Sequence, residues 1–382
     1  MGPGIHRASR RGFLRTGAAM AGSAAALAAP GIARSQGAVV LRVQSAWPAK
    51  DILHEYALDF ANRVSDMSGG DLKVEVLPAG SVVQNFGLLA AVSSGVLDGA
   101  HGSLEHHYAR HPAFALWSAG PAFGMDANVL LAWHKYGGGR QLLAKLYATI
   151  KADVVSFPYA PMPTPPLGWF KKPIAAPVDF ENLGFRTTGM AIEIFGGLGA
   201  RVNALAAADI ASALERGVID GAEYNNVSSD RALGLADAAS TCMLQSYHQS
   251  AEQLEILFNK GRFDALPPKL RALTESAVEA ASQDMAWKAI DRYSRDHAQL
   301  RARAGTRLLQ TPESILQRQL AAYDKAAGRF RADRLFAEIE QSQRRFAERA
   351  VRWQLETQVS PRAAYRHYFG ARPAPAAKKK GR

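Results

Sequence analysis

From Val39 onward, apolar and polar positions fall into short alternating runs separated by stripes at helical spacing. LRVQSAWP alternates with period two and stops at Trp47-Pro48, the pattern of a strand. Residues 53–67 place Leu53, Tyr56, Leu58, Phe60 and Val64 near one helical face. Ser68-Gly69-Gly70 ends that helix, since glycine takes the left-handed C-terminal conformation cheaply. LKVEVLPAG is a second strand, and NFGLLAAVSSGVLDGAHGS reads helix, turn, short strand. This β-α-β-α order predicts a mostly parallel sheet flanked by helices.

The middle of the chain repeats the pattern. DVVSFPYA is a strand, and MPTPPLGWF is a Pro-rich crossing that reads as a hinge or pocket loop. Residues 179–184 form a short helix-to-turn connection; FRTTG is a strand, MAIEIFGGLGA a helix and ARVNAL a strand. ADIASALERGVIDGAEY then reads helix, turn, strand. SSGVLDGAHG (93–102) and ERGVIDGAEY (215–224) share GV-(I/L)-DGA, an internal echo. If it is more than a recurring connector, each half presents a strand end and its following loop to a common cleft.

After about residue 250 the pattern turns helical: a strand-like LEILFN, a Leu-Pro-Pro turn, a long amphipathic helix, and another helix from about Glu313. In 333–358, Phe336, Ile339, Phe346, Ala350 and Trp353 lie near one stripe, with Ile339, Phe346 and Trp353 seven apart, a spacing that suits packing on another helix. The stripe faces either its own domain's core or a partner subunit.

Composition and charge change this picture in two places. The chain of 382 residues is long enough for about two domains. Its net charge of +12 is concentrated at the ends. Residues 1–35 carry five arginines and no acid, residues 371–382 carry five basic residues and no acid, and the body between is left with +2. The body has no basic stripe interleaved with aromatics, which argues against a nucleic-acid partner. Residues 1–35 read as a targeting segment, a basic region before a mild Ala/Gly-rich stretch too short to span a bilayer. Arg10-Arg11, between Ser9 and Phe13-Leu14, has the look of a twin-arginine export signal, which predicts a periplasmic mature protein. Residues 371–382 read as a disordered basic tail. A single cysteine, Cys242, excludes an intrachain disulfide and a multi-cysteine metal site, and reads as a small core residue.

Seven stretches, in this order, resemble a known family: RVSDMSGGDLKVEVLPAGSVV, AVSSGVLDGAHG, FGMDANVLLAWHKYGGG, GWFKKPI, LGFRTTG, ALERGVIDGAEY and YHQSAEQLEILFNKGRFDALPP. The family is the substrate-binding subunits of tripartite ATP-independent periplasmic (TRAP) transporters, in the branch that binds 2-oxo and 2-hydroxy monocarboxylates. The likeness runs from about residue 40 to 365. It implies a two-lobed α/β periplasmic-binding-protein fold of type II character, with a long interdomain helix and an extra C-terminal helix swapped between the subunits of a homodimer. Lobe 1 would take residues 38–160 and 250–310, lobe 2 residues 161–249, and the C-terminal helices residues 311–370. The partners implied are an organic acid and the small and large TRAP membrane subunits.

Arg186, between Gly184 and Gly189 in LGFRTTG, matches the family arginine that pairs with the ligand carboxylate. A guanidinium fork suits that role, because a carboxylate entering a closing cleft loses water and needs a bidentate partner. The alternative is a structural ion pair with Asp179 or Glu181. Glu223 and Tyr224 match an acid-plus-aromatic pair that helps the family hold a sodium or calcium ion, although the family usually has Trp at the second position. Tyr247-His248-Gln249 stands where the family reads Trp-His-Glu, the glutamate being a cation ligand. Pro165 and Pro161 fall where the family usually carries an amide-bearing Gln and an Asn. Hard cations want several oxygens with charge compensation, so the comparison predicts a weakened or absent cation site and no other cofactor, with sodium or calcium as the alternative and Glu223, Tyr224 and Gln249 as the residual donors. Trp47, Phe86, Tyr108, Tyr159 and Trp169 complete the candidate pocket. His101, His106 and His107 read as surface or rim residues. No Walker loop, G-x-S-x-G elbow, H-E-x-x-H or dinucleotide fingerprint is present, which points to a binder rather than an exported enzyme. A receptor that reports its ligand to a membrane signalling partner would share these features.

Overall fold

The computed structural model describes residues 37–370. The targeting segment and the basic tail therefore lie outside the described residues. Two mixed sheets organise the rest. The first has the order β2-β1-β3-β10-β4, with β1 Val39–Ser45, β2 Leu72–Leu77, β3 Gly99–Ser103, β4 Val154–Pro161 and β10 Gln253–Asn259. The second has the order β11-β9-β5-β8-β6-β7, with β5 Gly168–Phe170, β6 Gly184–Arg186, β7 Arg201–Asn203, β8 Gly221–Ala222, β9 Thr241–Met243 and β11 Arg307–Leu309. Each sheet is the heart of one lobe.

The expectation of mostly parallel sheets needs correcting. β1, β2 and β3 are parallel, as are β6, β7 and β8, but β10 inserts antiparallel between β3 and β4, and β5 runs antiparallel to both β8 and β9. The reason is the chain path. It leaves the first sheet after β4, builds most of the second, returns as β10, and goes back again as β11. A strand that re-enters a sheet from the far side runs against its neighbours. Residues 307–309 thus pair with β9 in the second sheet.

The GV-(I/L)-DGA echo corresponds to a structural repeat. In β2-β1-β3 and in β7-β6-β8 the echo strand (β3 or β8) flanks the same parallel pair. Asp98 Oδ2 accepts from the backbone N–H of Arg42 in β1 at 2.8 Å, and Asp220 Oδ2 accepts from that of Gly184 in β6 at 2.9 Å. The following glycines are compulsory for the same reason in both lobes. A Cβ on Gly99 would lie 2.6 Å from the Leu257 carbonyl oxygen, and one on Gly221 would lie 2.5 Å from Phe170 Cδ1. The motif therefore pins a helix–turn–strand unit to its sheet, and it aims the carboxyl ends of β1, β3, β6 and β8 at one cleft.

Helix Ile52–Ser68 begins at Asp51, whose carboxylate caps Leu53 N–H at 2.9 Å, and ends at left-handed Gly69. Helix Pro268–Ala302, 35 residues long, packs on helix Ile52–Ser68 and β4 in the first lobe and on helix Val227–Ala232 in the second. Helix Glu313–Phe330 packs on helix Ala191–Gly197, while Arg334–Thr357 crosses back to the first lobe, onto Ala127–Tyr136 and Gly139–Thr149. Of its stripe, Phe336 and Ile339 are buried, Phe346 and Ala350 pack half-buried on the core, and Trp353 is exposed. Cys242 is a core residue, in a cluster with Trp169, Ile210 and Leu214. No helix among the described residues is long and apolar enough to cross a membrane.

Candidate functional site

Arg186 ends β6 at the cleft and is 6% exposed. Its Nε donates to the Leu205 carbonyl at 3.1 Å, and its Nη1 donates to the Glu223 carbonyl at 2.7 Å. Nη1 also lies 3.4 Å from Glu223 Oε1, and the Tyr224 ring centre is 5.8 Å from the guanidinium carbon. Nη2 makes none of these contacts. Asp179 accepts from the N–H groups of Ala175 and Ala176 instead, so it is not the arginine's partner. Three contacts to the protein fix the plane of the fork before any ligand arrives.

Glu223 follows β8. Burial pushes its carboxyl up, but the imidazole of His248 and the guanidinium of Arg186 outweigh that and hold it below the usual carboxylate value. His248 Nε2 lies 3.8 Å from Glu223 Oε2. His248 Nδ1 is occupied by the Ser246 hydroxyl at 2.6 Å.

The first lobe contributes acids to the same place. Glu105, in the turn after β3, accepts from Thr188 Oγ1 at 3.1 Å and from Gln249 Nε2 at 3.2 Å. Glu252, on the return crossing, accepts from Asn225 Nδ2 at 2.8 Å. Burial and the mutual repulsion of Glu105, Glu252 and Glu223 raise the carboxyls of Glu105 and Glu252 well above the ordinary value. Asp51 accepts from Ser229 Oγ at 2.7 Å and from Tyr224 O–H at 3.1 Å, both donors belonging to the second lobe. The lobes are therefore latched together by side chains at the mouth of the site.

The remaining candidates sit around this group. Gln249 is buried within it. Trp169 is fully buried behind it, its indole donating to Asp230 Oδ2 at 2.9 Å. Trp47 packs on His101 and His106 at 4.9 and 5.9 Å, and Phe86, 68% exposed, meets the other edge of His106 at 5.9 Å. Tyr108 stands edge-on to Phe330. Tyr247 donates its backbone N–H to Gln319 Oε1 at 2.9 Å. Neither Tyr108 nor Tyr247 shares a hydrogen bond with the arginine cluster. Tyr159 is buried beneath, its hydroxyl 2.5 Å from His101 Nε2.

Reading the three histidines as surface or rim residues was wrong for two of them. His101 is 1% exposed, and burial drives its imidazole down to about 3. His107 is buried against Glu255 at 2.5 Å, whose other oxygen accepts from Tyr147 and Ser156 at 2.7 and 2.6 Å. Each has a polar partner that makes burial tolerable, a relation no local pattern encodes.

Sequence reasoning missed Glu105, Asp51, Glu252 and His248. Two of them left a signal. Glu105 follows the first copy of the echo, as Glu223 follows the second. Asp51 is a capping residue directly ahead of a helical stripe.

The donor set is a poor fit to a hard cation. Glu223 is engaged by Arg186, Gln249 turns its amide nitrogen to Glu105, and Pro161 and Pro165 bring no side-chain oxygen. Among the described residues, no group of three His, Cys, Asp or Glu side chains is arranged to hold a metal ion.

A family model described as bacterial extracellular solute-binding protein, family 7, matches residues 43–332, and the chain belongs to that family. A monocarboxylate 2-oxoacid-binding periplasmic protein of Nostoc sp. is 27% identical over 323 residues, 84% of this chain and 87% of that protein. A TRAP transporter solute-binding protein of Bordetella bronchiseptica, solved with calcium and picolinate, superposes with a TM-score of 0.80 at 24% identity, over 87% of this chain and 97% of its own. One from Pseudoalteromonas atlantica, solved with sodium and pyruvate, gives 0.79 at 24% identity, over 87% and 99%. The two-lobed fold is thus shared with these solved structures.

Proposed function

We propose that this chain is the periplasmic receptor of a TRAP-type transporter, capturing an organic monocarboxylate between its lobes and delivering it to the membrane subunits. Arg186 carries the reading. It is buried at the end of a strand, held in plane by two carbonyls, and its Nη2 makes no hydrogen bond among the described residues. Such a fork is built for a carboxylate. Family membership and the Nostoc relative's name supply the ligand class. The lobes would close on the acid as rigid bodies, and the closed form would dock on the permease.

The same reading includes export by the twin-arginine route, binding without turnover, and a homodimer formed by the C-terminal helices. Trp353, Tyr365, Tyr368 and Phe369 are all more than 60% exposed there, which supports a face that meets another subunit. A thermal-shift screen of small organic acids against wild type and Arg186→Ala tests the site. Stabilisation follows RT ln(1 + [L]/Kd), about 2.7 kcal/mol at a hundredfold excess over Kd. The variant should lose that stabilisation, and a variant that keeps it in full refutes the role of Arg186.

A further inference from the structure

The charge balance of the cleft constrains the ligand more tightly than Arg186 alone does. Glu105, Glu223 and Glu252 lie close enough to repel one another, and Arg186 is the guanidinium among them. It is already shared with Glu223. Three carboxyls face one guanidinium that Glu223 already engages, so an added positive charge beside Glu105 or Glu252 is favoured over a further negative one. A metal ion is one source, but the donors present fit one poorly.

Two further observations point to a ligand here. His248 Nε2 and Thr187 Oγ1 are fully buried and face Glu223, His248 Nε2 at 3.8 Å, and among the described residues neither makes a hydrogen bond of ordinary length. Glu105 is only half-buried, so it retains a face toward the cleft after accepting from Thr188 and Gln249. Thr188 is two residues beyond Arg186, so their Cα atoms are at most about 7 Å apart. The Thr188 hydroxyl thus holds Glu105 beside the strand end that carries Arg186, whose guanidinium is near enough to lower the Glu105 carboxyl.

We propose that the ligand brings its own cation: it is a small amino-bearing carboxylate, with its carboxylate on Arg186 and its ammonium on Glu105. This rests on the receptor reading above and narrows its ligand class. Glu105 is then the residue that separates amino acids from 2-oxo and 2-hydroxy acids of the same skeleton.

The test uses the purified protein, dialysed against EDTA and titrated calorimetrically with matched sets: alanine, pyruvate and lactate; proline and pyroglutamate; phenylalanine and phenylpyruvate. At least one amino acid should bind tenfold or more tightly than its oxo or amide counterpart, with no added cation. Glu105→Gln should weaken that amino acid at least tenfold more than it weakens the counterpart, with the thermal midpoint of the free variant confirming that it folds. The proposal is overturned if the oxo acids bind equally or better, if binding requires sodium or calcium, or if Glu105→Gln weakens both classes alike. If oxo acids alone bind, the receptor reading survives this failure. If no carboxylate of either class binds, that reading falls too.

Discussion

Ser229→Ala tests whether the contacts between the lobes carry closure energy. Ser229 is fully buried at the start of helix Val227–Ala232, and its hydroxyl donates to Asp51 Oδ1 at 2.7 Å. Asp51 belongs to the other lobe, where it also caps helix Ile52–Ser68 through Leu53. The substitution removes this hydroxyl-to-carboxylate bond, and with it the 2.9 Å bond that the hydroxyl accepts from Asn226 Nδ2 within its own lobe, while leaving the cap and the Tyr224 bond at 3.1 Å in place. A hydrogen bond to a charged group is worth roughly 1.5–3 kcal/mol. In the open form water replaces it, so the loss falls on the closed form. Affinity for the most stabilising acid should therefore drop roughly 10- to 160-fold, as the closed population shrinks. Isothermal titration of wild type, Ser229→Ala and a Ser212→Ala control measures this, the Ser212 hydroxyl bonding a carbonyl within its own helix. Affinity within twofold of wild type would refute the reasoning, whether the thermal midpoint is unchanged or lowered. A lowered midpoint alone would mean that the bond stabilises the fold rather than closure.

Burial lifts the Asp230 carboxyl from 3.8 to about 7 despite the Trp169 indole, so the folded chain holds this proton to higher pH than the unfolded chain. Its contribution to stability is full below about pH 4 and is lost as pH rises to 7. Asp230→Asn should flatten that decline in urea titrations, the steepest slope from one proton being about 1.4 kcal/mol per pH unit. Gly221→Ala should cost about 1–3 kcal/mol, because its Cβ meets Phe170, which is stacked on Phe185. Gly196→Ala, with open space around the new methyl, should cost nothing in the same thermal unfolding series. Deleting residues 359–382 should leave the monomer's unfolding free energy from urea titration within about 0.5 kcal/mol, since helix Pro361–Phe369 buries none of its residues. The same deletion should halve the mass seen by light scattering, and an unchanged mass would refute a dimer held by helix Pro361–Phe369.

The sequence by itself determined what is local. Helix Ile52–Ser68, its glycine stop, β1, β2 and β4, the long helix after Leu266-Pro267 and the helix from Glu313 all follow from periodicity and punctuation. These depend on side-chain direction and backbone conformation a few residues apart. The GV-(I/L)-DGA echo is legible for the same reason, since each copy is a complete helix–turn–strand unit. Arg186 stood out as a lone charge between glycines. Tertiary structure decided the rest. It set β10 and β5 antiparallel, carried residues 307–309 into the second sheet, and buried His101 and His107 against Tyr159 and Glu255. It also brought Asp51, Glu105, Arg186, Glu223, Gln249 and Glu252 into one cluster. These pairings join residues up to about two hundred positions apart. Whether a buried carboxyl finds a guanidinium, an amide or another carboxyl depends on how the chain crosses between its lobes, and no window of sequence contains that path.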